Sequence, residues 1–81
     1  MPEVHLWAGL RAFADGAEVV RADGATVGAI LRSLAGQYPG MADMLEDGVS
    51  VSVDGKIIVS DLTEPVPEDA EVWVIQRLRG G

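Results

Sequence analysis

The residues best suited to chemistry stand together at the end of the sequence, which reads Arg77-Leu78-Arg79-Gly80-Gly81 before the terminal carboxylate. Because glycine has no Cβ atom, Gly80 and Gly81 adopt backbone angles closed to other residues and fit a narrow channel. Arg77 and Arg79 are suited to pairing with acidic groups along such a channel, and Leu78 to filling a small apolar pocket. A fully extended segment 77–81 reaches about 17 Å, at ~3.3–3.6 Å per residue. The alternative is a frayed terminus whose arginines are simply solvated.

Few other residues offer catalytic or metal-binding chemistry. The sequence contains no cysteine, which excludes a disulfide scaffold, a thiolate metal site and a cysteine nucleophile. His5 is the single histidine, and we expect it to be a surface side chain. The carboxylate pairs Glu46-Asp47 and Glu68-Asp69 fall in expected loops, where adjacent side chains usually diverge. The sequence therefore predicts a protein that is not itself an enzyme, with no metal site and no bound cofactor.

The charge of the chain limits its partners. The net charge is −7, and all 13 acidic residues lie between Glu3 and Glu71. An acidic body repels nucleic-acid phosphates and anionic membranes, so we expect neither as a partner. No apolar run approaches the roughly 20 residues that a membrane span needs, and the N-terminus lacks the pattern of a secretory signal. We therefore expect a cytoplasmic protein.

Alternation of apolar and polar residues predicts the strands that position the tail. The predicted strands are residues 3–8, 17–22, 49–53, 56–59 and 72–76, of which 17–22 has the weakest alternation. Asp54-Gly55 indicates a type I′ hairpin turn, since both residues tolerate positive φ. The segment 9–16 reads as a turn.

One main helix is predicted between the second and third strands. Thr26 is a suitable N-cap, and Val27, Ile30, Leu31 and Leu34 then recur at helical spacing. Tyr38-Pro39-Gly40 ends this helix, and residues 41–46 are expected to add a short extra turn. The order predicts an α+β domain over residues 1–76, a mixed four- to five-stranded sheet with the helix packed on one face, followed by a flexible tail at 77–81. We also expect the first and last strands to be neighbours.

The face of the sheet away from the helix is a second candidate site. The alternation predicts that the helix covers Val4, Leu6, Val51, Val53, Val72 and Val74. The side chains of His5, Trp7, Trp73 and Ile75 then point the opposite way, with the two tryptophans on adjacent strands. Such an aromatic and apolar patch is typical of a partner-binding face. Alternatively, a neighbouring loop or a second copy of the chain shields the tryptophans.

Several segments resemble the MoaD/ThiS group of ubiquitin-like, β-grasp sulfur carriers. These are the opening Val4-His5-Leu6-Trp7-Ala8-Gly9-Leu10-Arg11, the helix entry Gly24-Ala25-Thr26-Val27-Gly28, the hairpin Val53-Asp54-Gly55, the approach Pro67-Glu68-Asp69-Ala70-Glu71-Val72 and the final Gly80-Gly81. The resemblance covers the whole chain. One departure is the tail, since MoaD-type tails are often apolar and contain proline, whereas Arg77-Leu78-Arg79 is as in ubiquitin itself.

The resemblance implies a function for the C-terminal carboxylate. In this family a partner activating enzyme uses ATP and Mg²⁺ to convert the carboxylate to an acyl-adenylate. A sulfur donor then displaces AMP, and the product is a thiocarboxylate. The sulfur goes to a biosynthetic enzyme for molybdopterin, thiamine or cysteine, such as the large subunit of molybdopterin synthase. Two alternatives stay open: a protein modifier joined through Gly81 to lysines of a target, and a binding domain that uses the Trp7/Trp73 face.

Overall fold

The computed structural model describes residues 1–58 and 61–76. Its strands are β1 (Glu3–Leu6), β2 (Val19–Arg21), β3 (Val49–Val53), β4 (Lys56–Ile58) and β5 (Glu71–Gln76). Its helices are α1 (Ala8–Arg11), α2 (Val27–Gln37) and α3 (Ala42–Asp47), with 3₁₀ turns at Ala12–Ala14 and Pro39–Met41. The predicted tail, residues 77–81, lies outside the described residues.

The strands form one mixed sheet in the order β2-β1-β5-β3-β4. The central pair, β1 and β5, is parallel, and the other pairs are antiparallel. The first and last strands are therefore neighbours, as the sequence predicts. Five strands with one main helix give the α+β, ubiquitin-like β-grasp fold that the resemblance implies.

One face of this sheet forms the hydrophobic core with α2. The six residues predicted to face the helix are all buried, none more than 8% exposed: Val4, Leu6, Val51, Val53, Val72 and Val74. From α2, Val27, Ile30 and Leu34 are buried against them, while Leu31 is only partly buried. The period-two and helical patterns thus identify the same core from both sides.

The N-terminus of α2 is held by its cap and by the loop before β5. The Thr26 hydroxyl accepts a hydrogen bond from the Ala29 N–H at 3.2 Å, which confirms the predicted cap. The backbone carbonyls of Glu64 and Leu62 accept from the N–H groups of Val27 and Gly28 at 3.0 and 2.8 Å. These bonds use amide donors that the first turn of a helix leaves without intrahelical partners.

The segment after β1 is helical, whereas a longer strand followed by a turn was expected. The strand ends at Leu6 instead of Ala8, and α1 and a 3₁₀ turn occupy residues 8–14. Leu10 and Ala14 are both buried, at 0% and 4% exposure. Because they are four residues apart, a helical conformation turns both toward the core, and this burial explains the difference. The predicted hairpin turn is confirmed, with φ of 50° at Asp54 and 88° at Gly55.

Over the described ranges 1–58 and 61–76, the structure contains no helix with the length and apolar character needed to cross a membrane.

Candidate partner-binding face

A row of side chains crosses the open face of the sheet from one edge to the other. The strand registers pair Val19 with His5, His5 with Trp73, Trp73 with Ser52, and Ser52 with Ile57. Directly paired residues point to the same side of a sheet, so these five side chains share one face. Val19, Trp73 and Ile57 are 42%, 38% and 56% exposed. We call this set of five residues the open-face row.

Trp73 lies at the centre of the open-face row, and its neighbours fix its orientation. The imidazole of His5 stacks on the indole with ring centroids 4.3 Å apart and an interplanar angle of 13°. The indole Nε1–H donates a hydrogen bond to Glu71 Oε1 at 2.7 Å. One contact holds the face of the ring and the other holds its polar edge. The exposed aromatic surface is therefore pre-organised for a partner.

Of the four residues predicted on this face, His5, Trp73 and Ile75 lie in strands of the sheet, whereas Trp7 lies just past the end of β1 and is half-buried. Trp7 follows the end of β1 and is the N-cap residue of α1. A Cβ atom built on Gly9 would lie 2.4 Å from Trp7 Nε1, so the indole covers the Gly9 backbone. Trp7 is also partly buried against the core. The expectation of two exposed tryptophans on adjacent strands is therefore wrong, because the turn into α1 folds Trp7 over Gly9.

The open-face row lies close to the point where the tail begins. Trp73 precedes Gln76, the last residue of β5, by three positions, which is roughly 10 Å along a strand at ~3.3 Å per residue. Ile75, between them, is half-buried and pairs with Ser50. A protein that covers Trp73 can therefore reach the segment after Gln76. The predicted tail residues Arg77, Leu78, Arg79, Gly80 and Gly81 lie outside the described part of the chain.

Four residues of this face, Val19, Ser52, Ile57 and Glu71, are not among the sequence predictions. Val19 and Ile57 add apolar surface at the two ends of the row, and Glu71 binds the indole N–H. Each apolar residue stands beside another one, as Val19-Val20 and Ile57-Ile58. Adjacent residues of a strand point to opposite faces, so one of each pair must leave the core. That signal is enough to find Val19 and Ile57, whereas Glu71 depends on the rotamer of Trp73.

The opposite side of the molecule carries a groove of about 660 Å³ between α2, α3 and the loop after β4. Its apolar lining includes Leu31, Ala35, Leu45, Val49 and Leu62. Leu62 is 57% exposed at its edge. Arg32 and Glu46 bring opposite charges to the lining, which leaves the groove without a consistent sign of charge.

Among residues 1–58 and 61–76, no three histidine, cysteine, aspartate or glutamate side chains are grouped to hold a metal ion. The pKa of Asp61 is lowered, first because the Thr63 hydroxyl donates to its carboxylate and then because the Thr63 backbone N–H does so. These bonds, at 2.6 and 2.9 Å, close an exposed turn. What the open-face row offers is exposed apolar and aromatic surface within three residues of the end of β5.

Comparison with known families agrees with this geometry. The model of the family described as ThiS family matches residues 4–81. The chain belongs to the ThiS family. The match runs from the first buried residue of β1 to the final glycine, so it includes both the folded domain and the predicted tail. The resemblance to MoaD/ThiS carriers is thereby confirmed.

Solved structures similar to this ThiS-family chain include a small archaeal modifier protein and two CysO proteins, one of them in a complex. The crystal structure of small archaeal modifier protein 1 from Haloferax volcanii is 28% identical, with a TM-score of 0.78 over 99% of this chain and 98% of that one. CysO from Mycobacterium tuberculosis is 21% identical, with a TM-score of 0.85 over 96% of this chain and all (100%) of that one.

A third similar structure is the Amycolatopsis orientalis BexX/CysO complex, at 21% identity and a TM-score of 0.84 over 100% of both chains. The likeness to the two CysO chains shows the fold alone. Among curated proteins, none matches the sequence significantly.

Proposed function

We propose that this protein is a sulfur carrier whose Gly81 carboxylate is adenylated by an ATP-dependent activating enzyme and then converted to a thiocarboxylate. The observation that carries the proposal is the family match, which extends through the terminal Gly80-Gly81. The protein supplies the carboxylate and the surface that the enzyme holds, and the enzyme supplies ATP and Mg²⁺. The carrier is a substrate and not a catalyst.

The chemistry explains why an accessible glycine end is needed. A carboxylate resists nucleophiles because of its negative charge. When a carboxylate oxygen attacks the α-phosphate of ATP, pyrophosphate leaves, and the resulting acyl-adenylate has lost that charge and carries AMP as a leaving group. The carboxylate must therefore enter an active site that already holds ATP. Gly80 and Gly81 have no side chains to obstruct that entry. In this proposal Arg77, Leu78 and Arg79 contact the walls of the channel.

The open-face row is the proposed docking surface for the activating enzyme. Its centre lies roughly 10 Å from the start of the tail at ~3.3 Å per residue, so one enzyme can hold the sheet and the carboxylate together. His5, Trp73 and Ile75 belong to this surface. The other described side chains leave part of the Trp73 ring uncovered, so the enzyme can contact it. The BexX/CysO complex supports the expectation that a chain of this fold binds a partner protein.

The proposed acceptor of the sulfur is an enzyme of cofactor biosynthesis, such as the large subunit of molybdopterin synthase. Its support is the resemblance to MoaD-type carriers. The carrier would then be the small, non-catalytic subunit of a sulfurtransferase complex.

A second candidate function is protein modification through Gly81. Two observations favour it: the Arg77-Leu78-Arg79 segment before the glycines, and the similarity to a protein named small archaeal modifier protein 1 at 28% identity. In this case a lysine amine replaces the sulfur donor and the product is an amide. The activation step is the same in both functions.

The proposal is tested by incubating the protein with its cognate activating enzyme, ATP, Mg²⁺ and a sulfide source. We expect the intact mass to rise by the exchange of one oxygen for one sulfur. Gly81→Val and a chain without Gly81 should fold normally and stay unchanged in mass. Species of higher mass that survive reducing, denaturing gels would support the second candidate instead. If removal of Gly81 changes neither the reaction product nor the cellular phenotype, both proposed functions are wrong. The remaining interpretation is then a binding domain.

A further inference from the structure

Ser52 leaves a gap in the open-face row between two large side chains. It pairs with Trp73 of β5 on one side and with Ile57 of β4 on the other. Because neighbouring strands lie about 4.8 Å apart, the backbones of β5 and β4 are separated by roughly 10 Å. Only the small Ser52 side chain stands between the indole and the isoleucine. The gap therefore has room for one further planar side chain.

One wall of the gap is an aromatic ring with a fixed orientation. The rings of His5 and Trp73 are nearly parallel, at 13°, with centroids 4.3 Å apart. His5 is on β1, to one side of β5, and Ser52 is on β3, to the other side. The second face of the indole is therefore turned toward Ser52. The bond from Nε1 to Glu71 holds the ring in this position.

Two carboxylates lie on the side of the open-face row that is farther from the end of β5. Glu71 precedes Trp73 by two positions and shares its face of the sheet, and Glu3 pairs with Glu71 on the same face. The ion pairs formed within residues 1–58 and 61–76 include neither of them. Like charges on directly paired residues repel each other. A cation supplied by a partner would relieve this repulsion.

The flat wall and the carboxylates together favour arginine as the side chain that enters the gap. A guanidinium is planar and cationic, so it can stack on an indole while its N–H groups bind a carboxylate. A lysine ammonium lacks the flat shape, and an aromatic ring lacks the charge. The net charge of −7 likewise favours a partner with a basic surface.

We propose that the gap at Ser52 receives an arginine side chain of the activating enzyme, whose guanidinium stacks on the free face of Trp73 and pairs with Glu71. This inference rests on the proposed activation by such an enzyme and identifies the chemistry of its docking surface. The carboxylates lie on one side of the row and Ile75 on the other. The contact therefore also fixes which way round the enzyme lies on the sheet.

The first test fills the gap without altering its walls. Ser52→Leu places a large side chain between Trp73 and Ile57, whereas the matched change Ser52→Ala keeps the gap open. In titration calorimetry with the cognate activating enzyme, we expect Ser52→Leu to bind about tenfold or more weakly, as expected for loss of a stacked cation. Ser52→Ala should bind like the parent. Equal affinities for Ser52→Leu and the parent would overturn the inference.

The second test removes the charge and keeps the orientation of Trp73, and it stands even if Ser52→Leu fails to fold. Glu71→Gln retains a side-chain oxygen that can accept from the indole N–H. Glu68→Gln is the matched control, since it removes the same charge from a side chain that is 93% exposed. We expect about tenfold weaker binding for Glu71→Gln, as for loss of a charged hydrogen bond, and little change for Glu68→Gln. Equal losses would show that the enzyme responds to net charge alone, which contradicts the inference.

Arginine modification identifies the residue on the enzyme. Phenylglyoxal labels accessible arginines, and mass spectrometry locates the labelled positions. We expect the parent chain to protect one arginine of the enzyme, and this arginine to be labelled again when Ser52→Leu saturates the enzyme instead. If the parent protects no arginine, the inference is wrong.

Trapping with hydroxylamine separates this inference from the proposed function. Hydroxylamine converts an adenylate at Gly81 to a hydroxamate and so reports activation alone. If the parent forms the hydroxamate and Ser52→Leu binds the enzyme equally well, only the arginine contact is refuted. If the parent forms no hydroxamate with the enzyme, ATP and Mg²⁺, the proposed function fails and this inference fails with it.

Discussion

The imidazole of His5 stacks on the indole of Trp73, with ring centroids 4.3 Å apart. The two residues are direct partners on the parallel central strands. Stacked aromatic pairs contribute about 0.5–1.5 kcal/mol beyond their buried area. With the hydrogen bond to Glu71, the stack keeps the largest side chain of the open face in one orientation. A partner therefore meets a surface that needs little ordering on binding.

We expect Trp73→Ala to weaken binding to the activating enzyme by about 30-fold, since loss of a central interface aromatic costs ~2 kcal/mol or more. Titration calorimetry or a surface-binding assay measures this change. Leu62→Ala is the matched control, because Leu62 is also an exposed apolar residue, at 57%, but lies beside α2 on the other side of the sheet. Equal losses in both variants would rule out the open-face row as the docking surface.

Gly24 and Gly36 should respond to alanine in opposite directions. A Cβ atom on Gly24 would lie 2.8 Å from the Ile30 backbone nitrogen and 2.9 Å from the Ala29 carbonyl carbon. Gly36 is within α2 and has open space around its Cβ position. We expect Gly24→Ala to lower the free energy of unfolding by roughly 1–3 kcal/mol. Gly36→Ala should raise it by about 0.5–1 kcal/mol, because alanine favours the helix.

Urea denaturation of the two variants provides the measurement. The difference between them is informative even if the absolute values shift, since both add one methyl group. A Gly24→Ala variant as stable as the parent would show that the loop at Gly24 moves away from α2 without cost.

The Thr26 cap makes a measurable contribution to the stability of α2. Its hydroxyl accepts from the Ala29 N–H at 3.2 Å. We expect Thr26→Ala to lower the free energy of unfolding by about 1 kcal/mol, in the range found for lost N-caps. Thr26→Ser keeps the hydroxyl and should recover most of that loss in the same denaturation experiment. If Thr26→Ser and Thr26→Ala lower the free energy of unfolding equally, the loss comes from the methyl group of Thr26 and not from its capping hydroxyl.

The carboxylate of Asp61 should titrate at an unusually low pH. The Thr63 hydroxyl, the Thr63 backbone N–H and the charge of Lys56 all lower its pKa. Thr63→Ala removes the first of these causes and should raise the pKa toward the ordinary value, whereas Thr63→Ser should keep it low. Carboxyl-carbon NMR titration measures the pKa directly.

The sign of the pH effect follows from the same shift. A group whose pKa is lower in the folded state contributes stability above its unfolded pKa and loses it as the pH falls through the folded value. Asp61 therefore favours the folded state near neutral pH and ceases to do so in acid. An Asp61 pKa that does not move in Thr63→Ala would mean that the backbone N–H and the charge of Lys56 keep it low without the hydroxyl.

The sequence determines most of the sheet and the main helix. Alternation predicts the six buried residues of β1, β3 and β5, because side chains of a strand point to opposite faces with a period of two. Asp54-Gly55 predicts its hairpin because both residues have positive φ there. The Thr26 cap is equally local. Each of these features depends on residues close together in the chain, and a pattern of nearby residues is enough to predict it.

The C-terminal glycines are likewise found from the sequence without the structure. The family match, which extends to residue 81, includes them. Their proposed function follows from their chemistry and from that match. The described structure adds that β5 ends at Gln76, three residues after Trp73.

Only the tertiary structure decides which tryptophan is presented to a partner. Alternation places Trp7 and Trp73 on one face, but burial of Leu10 turns the chain into α1 and folds Trp7 over Gly9. The contacts of Trp73 with His5 and Glu71 and the bonds from the loop to the start of α2 are likewise absent from any local pattern. The His5–Trp73 stack and the loop bonds to α2 join segments far apart in the chain, whose meeting depends on how the whole core packs, whereas the Trp73–Glu71 bond depends on the rotamer that the stack gives Trp73.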